Sequence, residues 1–353
     1  MGVQRVTIKD VAHEAGVSVS TASRVLSRAG STSPTAEENV REAATRLGYR
    51  INLHARSLRS LHTQTVGLLI PDVRNPFFAE LAHTIEQRAL ASGYSTLLGN
   101  ANEQLDQQER YIQNTRSLRV DGMIIAPQGQ GQGGLNDLVA DGTPMVFVDR
   151  VAPGIKLPSV TSDPSNGIAE ALRHLHECGH RRIGCIAGPQ HTSTGRERLQ
   201  QVRDAAESLG MELPDGAIHI GDFQERSGAE GAEKLVDAGV DAIFAADSPM
   251  TLGALRALQA RGVRVGQDVS LVGFDDLPLF SLTDPPLSVV AQDVQKLGEH
   301  AFDLLLEVIN GRNPASVRLP TRLVTRASTR NASGDASLHQ NPTSSRQPEV
   351  GQP

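Results

Sequence analysis

Residues 6–26 read VTIKDVAHEAGVSVSTASRVL, two short segments parted by Gly16-Val17-Ser18. Val11, Ala12 and Ala15 recur at helical spacing, and Gly16 suits the left-handed backbone that ends a helix. Ser18 is a good N-cap for a second helix whose inner face is Ala22, Val25 and Leu26. A third helix begins near Ser33-Pro34-Thr35, with either Ser33 as cap and Pro34 at its first position, or Thr35 boxed with Glu38. Its apolar face is Val40, Ala43 or Ala44, and Leu47, closed by Gly48. Three such helices with a tight first turn describe a helix-turn-helix domain. The second helix of that motif enters the major groove of DNA, which makes Val19, Ser20, Thr21, Ser23 and Arg24 the predicted base-facing residues. Arg24 suits a bidentate contact with guanine. Thr7, Ser18 and Thr21 are short donors suited to phosphate oxygens, which position a domain without reading sequence.

The rest of the chain has a different character. Its 353 residues predict two or three domains of ordinary soluble composition, 39% hydrophobic and 21% charged, with no Trp. Two cysteines, Cys178 and Cys185, are too few for a disulfide framework and fit a reducing compartment. No run approaches the ~18 apolar residues of a membrane span, and the opening MGVQRVTIKD lacks an apolar signal-peptide core. The expected location is the cytoplasm. The net charge of −6 is unevenly spread: residues 1–60 hold nine Lys/Arg against five acidic residues, net +4, which leaves −10 on residues 61–353. A basic head on an acidic body suggests that only the head meets a polyanion.

Within the body, apolar β-rich runs alternate with helical patterns: Val66–Ile70, Thr96–Leu98, Met123–Ala126, Met145–Val148, Ile183–Ala187, Ala242–Ala245 and Leu271–Phe274. Such runs predict parallel sheets covered on both faces, and the length suits two doubly wound α/β lobes behind an all-α headpiece. Ligands of open α/β sheets bind beyond the carboxyl ends of the strands, here Asp72, Asp149, Gly188, Asp247 and Asp275. Several carboxylates in one cleft suit acid/base or metal chemistry as well. The chain holds no P-loop, no His-Glu-x-x-His, no nucleophile elbow and no GxGxxG after a strand. CGHRRIGC, with His174 nearby, has the wrong spacing for zinc. The expectation is a binding protein without enzymatic activity, cofactor or metal.

The stretches TIKDVAHEAGVSVSTASRVL, SPTAEENVREAATRLGYR, ARSLRS, VGLLIPDVRNPFFAEL, VDGMIIAP, HLHECGHRRIGCIAGP, DVSLVGFDD and PPLSVVAQD resemble, in order and spacing, the LacI/GalR family of transcriptional regulators. The resemblance spans roughly residues 6–330. It implies a headpiece over 1–50, a hinge over 51–63, an effector-binding core over 64–330 and a disordered tail over 331–353. By the same resemblance the core would have the fold of the periplasmic sugar-binding proteins. Lobe 1 would hold about 64–161 and 291–321, and lobe 2 about 162–290 and 322–330, with crossovers near Thr161–Asp163, Val289–Gln292 and Leu319–Leu323. In the hinge, the resemblance assigns Leu58 as a wedge into the minor groove with Ala55 beside it, and Asn52 and Arg59 as flanking contacts. The family usually has Pro where this chain has Ile51, so the hinge is expected to order at greater entropic cost.

The same resemblance maps effector contacts onto Phe77, Phe78, Asp149, Ser162, Thr192, Arg196, Phe223, Asp247, Asp275 and Gln292. Asp247-Ser248 stands where the family has Asn-Asp, replacing an amide by a group that only accepts when ionised. Asp149, Asp247 and Asp275 against Arg196 give that set a nominal charge of −2, which disfavours an anionic ligand. The expectation is therefore a repressor of carbohydrate-utilisation genes controlled by a small neutral sugar. The alternatives are a purine, nucleoside or sugar phosphate as effector, or a sugar-binding transport protein, which would need a signal peptide and no headpiece. The expected partners are operator DNA and a second copy of the chain, since the tail lacks the leucine heptads of tetrameric relatives. Residues 127–134, PQGQGQGG, form a flexible loop at a strand end.

Overall fold

The computed structural model describes residues 6–27, 32–49, 63–129 and 133–330. The expected hinge (Ile51, Asn52, Ala55, Leu58 and Arg59), the middle of the Gly/Gln loop (130–132) and the tail (331–353) lie outside the described residues. The chain divides into two compact units, Met1–Thr63 and Gln64–Pro353.

The first unit consists of α1 (Ile8–Glu14), α2 (Val19–Ser27) and α3 (Pro34–Arg46). Asp10 accepts from both the backbone N–H and the hydroxyl of Thr7, at 2.8 Å each, which ties down the start of α1. Gly16, at φ 62°, makes the turn into α2. Of the two possible starts for α3, Ser33 is the one used: its Oγ accepts from Ala36 N at 3.3 Å, with Pro34 in the first turn. Val11, Ala12, Ala15, Ala22, Val25, Val40, Ala43 and Ala44 form the core, the faces that periodicity selected. The side chains are small because three short helices converge closely.

The second unit has two six-stranded sheets. Sheet 1 contains β1 (Thr65–Ile70), β2 (Ser95–Asn100), β3 (Gly122–Ile125), β4 (Met145–Val148), β5 (Ser159–Asp163) and β11 (Val317–Pro320), in the order β11-β5-β4-β3-β1-β2. Sheet 2 contains β6 (Ile183–Ala187), β7 (Ile218–Ile220), β8 (Ala242–Ala245), β9 (Ser270–Phe274), β10 (Ser288–Ala291) and β12 (Arg322–Val324), in the order β12-β10-β9-β8-β6-β7. Successive residues of each strand point to opposite faces. Leu68 and Ile70 therefore join one core, with α4 (Pro76–Ala91) and α11 (Val294–Ile309), while Leu69 joins another, with α5 (Leu105–Leu118) and α6 (Gly133–Ala140). Sheet 2 is covered likewise, by α7 (Ser165–Glu177) and α8 (Ser193–Ser208) on one face, and α9 (Glu225–Asp237) and α10 (Ser248–Ala260) on the other. Burial on both faces is why these strands are continuous apolar runs.

The chain passes between the sheets three times. Ser162 and Asp163 still pair with Leu319 and Pro320 in sheet 1, and Ala291 pairs with Arg322 in sheet 2. The first crossing thus falls at Pro164, just beyond the expected Thr161–Asp163, and the second at Gln292, at the end of the expected Val289–Gln292. The third is Thr321 alone, between β11 and β12. This one extended segment runs parallel to β5 and antiparallel to β10, so each lobe is closed at its edge by the same stretch of chain.

Candidate functional site

On the first unit, α2 begins with a cluster of hydroxyls. Ser18 Oγ accepts from Thr21 N at 3.1 Å and lies 2.8 Å from Ser20 Oγ and 2.9 Å from Thr21 Oγ1. Ser18, Val19, Ser20 and Arg24 are exposed, and Thr21 and Ser23 half-buried. The Arg24 Nε leans back on Ser20 O at 3.4 Å. These residues share one end and one outward side of α2, opposite Ala22 and Val25 in the core. Thr7 is placed differently from the expectation, for its hydroxyl proton goes to Asp10 rather than outward.

In the second unit the carboxyl ends of the two sheets face one another across a closed cleft. Val151 N donates to Ser193 Oγ at 3.0 Å, and Ser248 Oγ lies 3.3 Å from Asn75 Oδ1, both contacts joining one lobe to the other. Gly129, at φ 88°, sits so near the other lobe that a Cβ would come within 2.2 Å of the His191 carbonyl oxygen. The cavity bounded by Asp149, Ser162, Arg198, Phe274 and Gln292 is about 10 Å³, the space of about one water.

One of the mapped residues does not face this cleft. Arg196 is exposed and donates to Gln190 O at 2.9 Å; the arginine that turns inward is Arg198. Arg198 shares the buried face of α8 with Gly195, Leu199, Val202 and Ala206, whereas position 196 lies off that stripe. The helical period held the signal that separates the two. The Arg198 guanidinium donates to Ala246 O at 2.8 Å, lies 3.8 Å from the centre of the Phe274 ring, and comes within 4.0 Å of Asp149. Thr192 has a structural task in the same loop. Fully buried, it caps α8 by accepting from Gly195 N at 3.1 Å and donates to Pro189 O at 2.8 Å, so its hydroxyl is already committed.

The remaining mapped residues converge. Asp149 and Asp275 each follow a strand directly, with left-handed backbones at φ 60° and 68°. Burial pushes the Asp149 carboxyl up to about 6, against the opposing pull of Arg198 and Arg150. Asp275 accepts from Ser248 Oγ at 2.8 Å and from Gln292 Nε2 at 2.6 Å. Phe77 belongs to the core of lobe 1, edge-on to Phe78 at 5.0 Å. Phe78 and Phe223 both lie under a residue that sequence reasoning passed over, Arg150, whose guanidinium bonds Glu103 through two contacts of 2.8 Å. Asp247 caps α10 by accepting from Met250 N at 3.0 Å, and burial holds its carboxyl well above the usual range. The sequence argument treated Asp247 as an ionised acceptor; burial works against that ionised form.

Ser162 Oγ and Gln292 Oε1 are buried with no hydrogen-bond partner among the described residues. A buried polar atom without a partner costs about 1–3 kcal/mol. Both belong to the lining of the small cavity between the lobes.

The profile of bacterial regulatory proteins of the lacI family matches residues 7–52, and that of a periplasmic binding protein-like domain matches residues 172–329. The HTH-type transcriptional repressor CytR of Escherichia coli (strain K12) is 32% identical over 328 residues, covering 92% of this chain and 96% of its own. The chain belongs to the lacI family. Among solved structures, the lac repressor dimer bound to operator and the anti-inducer ONPF superposes with a TM-score of 0.83 at 28% identity, covering 93% of this chain and 100% of that one. The regulator CelR in complex with cellobiose superposes at 0.70 with 33% identity, covering 92% and 100%. This lacI-family protein is therefore a DNA-binding transcriptional repressor, with a helix-turn-helix unit at its N-terminus and a two-lobed α/β core. No helix among the described residues is long and apolar enough to cross a membrane.

Proposed function

We propose that the chain represses genes of carbohydrate utilisation as a homodimer on a pseudo-palindromic operator, and that a small neutral sugar held between the lobes sets its operator affinity. In this reading α2 enters the major groove, with Val19, Ser20, Ser23 and Arg24 toward base edges and Ser18 and Thr21 toward phosphates. Asn52, Ala55, Leu58 and Arg59 would engage the minor groove. The effector favours one arrangement of the lobes and thereby one operator affinity; the coupling is reciprocal.

The observation that carries the sugar is the set of unmatched polar atoms in the cleft. Ser162 Oγ and Gln292 Oε1 are buried without partners beside Asp149, Arg198 and the Gln292–Asp275 pair. Hydroxyl groups, which donate and accept at one atom, satisfy such a set. The charge agrees: Glu103, Asp149, Asp247 and Asp275 face Arg150 and Arg198, nominally −2 when all are ionised. A phosphate would add charge to a site already short of cations. The neighbour CelR was solved with cellobiose, a neutral sugar. Entry requires the lobes to part, since the cavity of about 10 Å³ holds no sugar.

The test is a thermal-shift panel of neutral sugars and their phosphates on the full chain, followed by operator binding with each hit. A sugar at 100 times its dissociation constant adds about 2.7 kcal/mol of stability. Asp275→Asn should keep operator binding and lose the response to that sugar. A sugar phosphate bound more tightly than its parent sugar, or a normal response in the variant, overturns the reading.

A further inference from the structure

Helix α8 of lobe 2 reaches across to lobe 1 at two points on one edge. Ser193 and Glu197 stand four residues apart, about one turn along the helix, so their side chains share a face. Ser193 Oγ accepts from Val151 N at 3.0 Å, and Glu197 Oε1 accepts from Arg318 Nη2. Val151 and Arg318 both belong to lobe 1, Arg318 to its edge strand β11. Glu197 also borders the cavity of about 10 Å³, so this ion pair stands at the margin of the space between the lobes. Arg318 has a second carboxylate within reach. Asp163 of the neighbouring strand β5 lies 3.6 Å from the same Nη2, and it is held there by accepting from Ser165 N at 3.0 Å. Arg318 thus stands between an acid of the other lobe and an acid of its own. The side chains of Arg318 and Glu197 are 50% and 35% exposed, which makes theirs a surface ion pair, weak enough to break and re-form.

We propose that Arg318 is a two-position latch of the core: paired with Glu197 it holds the lobes shut, and when they part it falls back on Asp163. Only the first pairing spans the lobes; the second lies within sheet 1 and survives their separation. Parting the lobes therefore exchanges one carboxylate for another and never strips the guanidinium bare, so neither arrangement is strongly penalised. Because the pair is exposed, salt weakens it, and ionic strength sets the closed fraction alongside any effector. The latch stands whether the effector is a sugar or not.

The Val151 N–H reports the latch, since its acceptor lies on the opposite lobe. Its hydrogen–deuterium exchange is followed in the full chain, with no ligand added. Glu197→Gln should speed that exchange about two- to fivefold over the parent, the range expected of an exposed pair. Arg318→Gln should do the same, and Arg318→Lys, which keeps the charge, should do less. Asp163→Asn, which can still cap Ser165, should slow the exchange, because Arg318 loses its fallback. Raising sodium chloride from about 0.1 M to about 1 M cuts the Debye length from roughly 10 Å to roughly 3 Å. That should bring the parent toward the Glu197→Gln rate and leave the variant nearly unchanged. Glu230→Gln, which breaks the Arg226–Glu230 pair within α9, should change nothing. Amides inside β3 and β9 should keep their parental rates throughout. No change at Val151 when either charge is removed, or equal acceleration in β3 and β9, overturns the latch. An unmoved or faster rate in Asp163→Asn overturns its second position, and a parent rate that ignores salt overturns the ionic control.

Discussion

The two lobes repeat one plan. β1, β2, β3, β4, β5 and β11 occupy the places in sheet 1 that β6, β7, β8, β9, β10 and β12 occupy in sheet 2. The correspondence extends to single residues. Asp149 follows β4 and Asp275 follows β9, both left-handed. Glu103 and Phe223 each stand three residues beyond β2 and β7, again both left-handed. Asn75 and Thr192 are the matching caps of α4 and α8. The difference lies in which side chains fill these shared positions. Lobe 1 answers Arg150 with a carboxylate and lobe 2 with a ring, and where lobe 1 has Arg150 lobe 2 has Asp276, paired with Arg326 at 2.7 Å. Equivalent backbone slots recur in both lobes; chemistry then depends on what each slot carries.

Lobe 2's own buried arginine is where this comparison breaks most easily. Arg198→Ala removes the group that stacks on Phe274, bonds Ala246 O and faces Asp149, and should cost about 3–5 kcal/mol, as loss of one partner of a buried charge pair does. Arg196→Ala, two residues away on the exposed side, should stay within about 0.5 kcal/mol of the parent. Urea denaturation of both variants measures the contrast, and equal losses would erase the distinction between them.

A second test concerns the cost of burying lobe 1's aspartate. The Asp149 carboxyl is raised from 3.8 to about 6 in the folded protein. Between those values the folded state holds the proton more tightly than the unfolded chain, so this group's contribution to stability is highest below pH 4, falls by about 3 kcal/mol as pH rises toward 6, and is flat above. Asp247, shifted in the same direction, adds to the fall. Asp149→Asn should flatten the profile between pH 4 and 6, measured by denaturant titration across that range. An unchanged slope would place the proton elsewhere.

The smallest expected effect sharpens the role of the Phe223 slot. Gly188→Ala puts a methyl group against the ring, and should cost about 1–3 kcal/mol by overpacking while shifting Phe223. Melting of that variant, with the parent alongside, reads the cost directly; no change would mean that the ring moves freely and backs nothing.

The helix-turn-helix unit was legible because its signals are local. Small apolar residues at helical spacing, Gly16 and Ser33 with Pro34 announce three helices without reference to any distant contact. The two sheets were legible for a related reason, since strands buried on both faces must be apolar throughout. The short edge strand Ile218–Ile220 escaped, being brief and half-exposed, and so did the polar stretches that pair at the crossovers. Within the cleft, the strand ends Asp149, Asp247 and Asp275 followed from the rule for open α/β sheets. Arg198 was missed although the buried stripe of α8 marks it, and the capping task of Thr192 stayed hidden because a cap and a ligand group are the same hydroxyl until its partners are known.

By itself, then, the amino-acid order determined the three-helix unit, the two sheets and the strand ends that line the cleft, since each is set by residues close in the chain and by the period of their burial. Only the tertiary structure decided that Glu103 and Phe223 receive Arg150, that Arg198 and not Arg196 turns inward, and that burial raises the Asp247 carboxyl. Those facts depend on desolvation and on partners far apart in sequence, and neither exists until the lobes have closed around them.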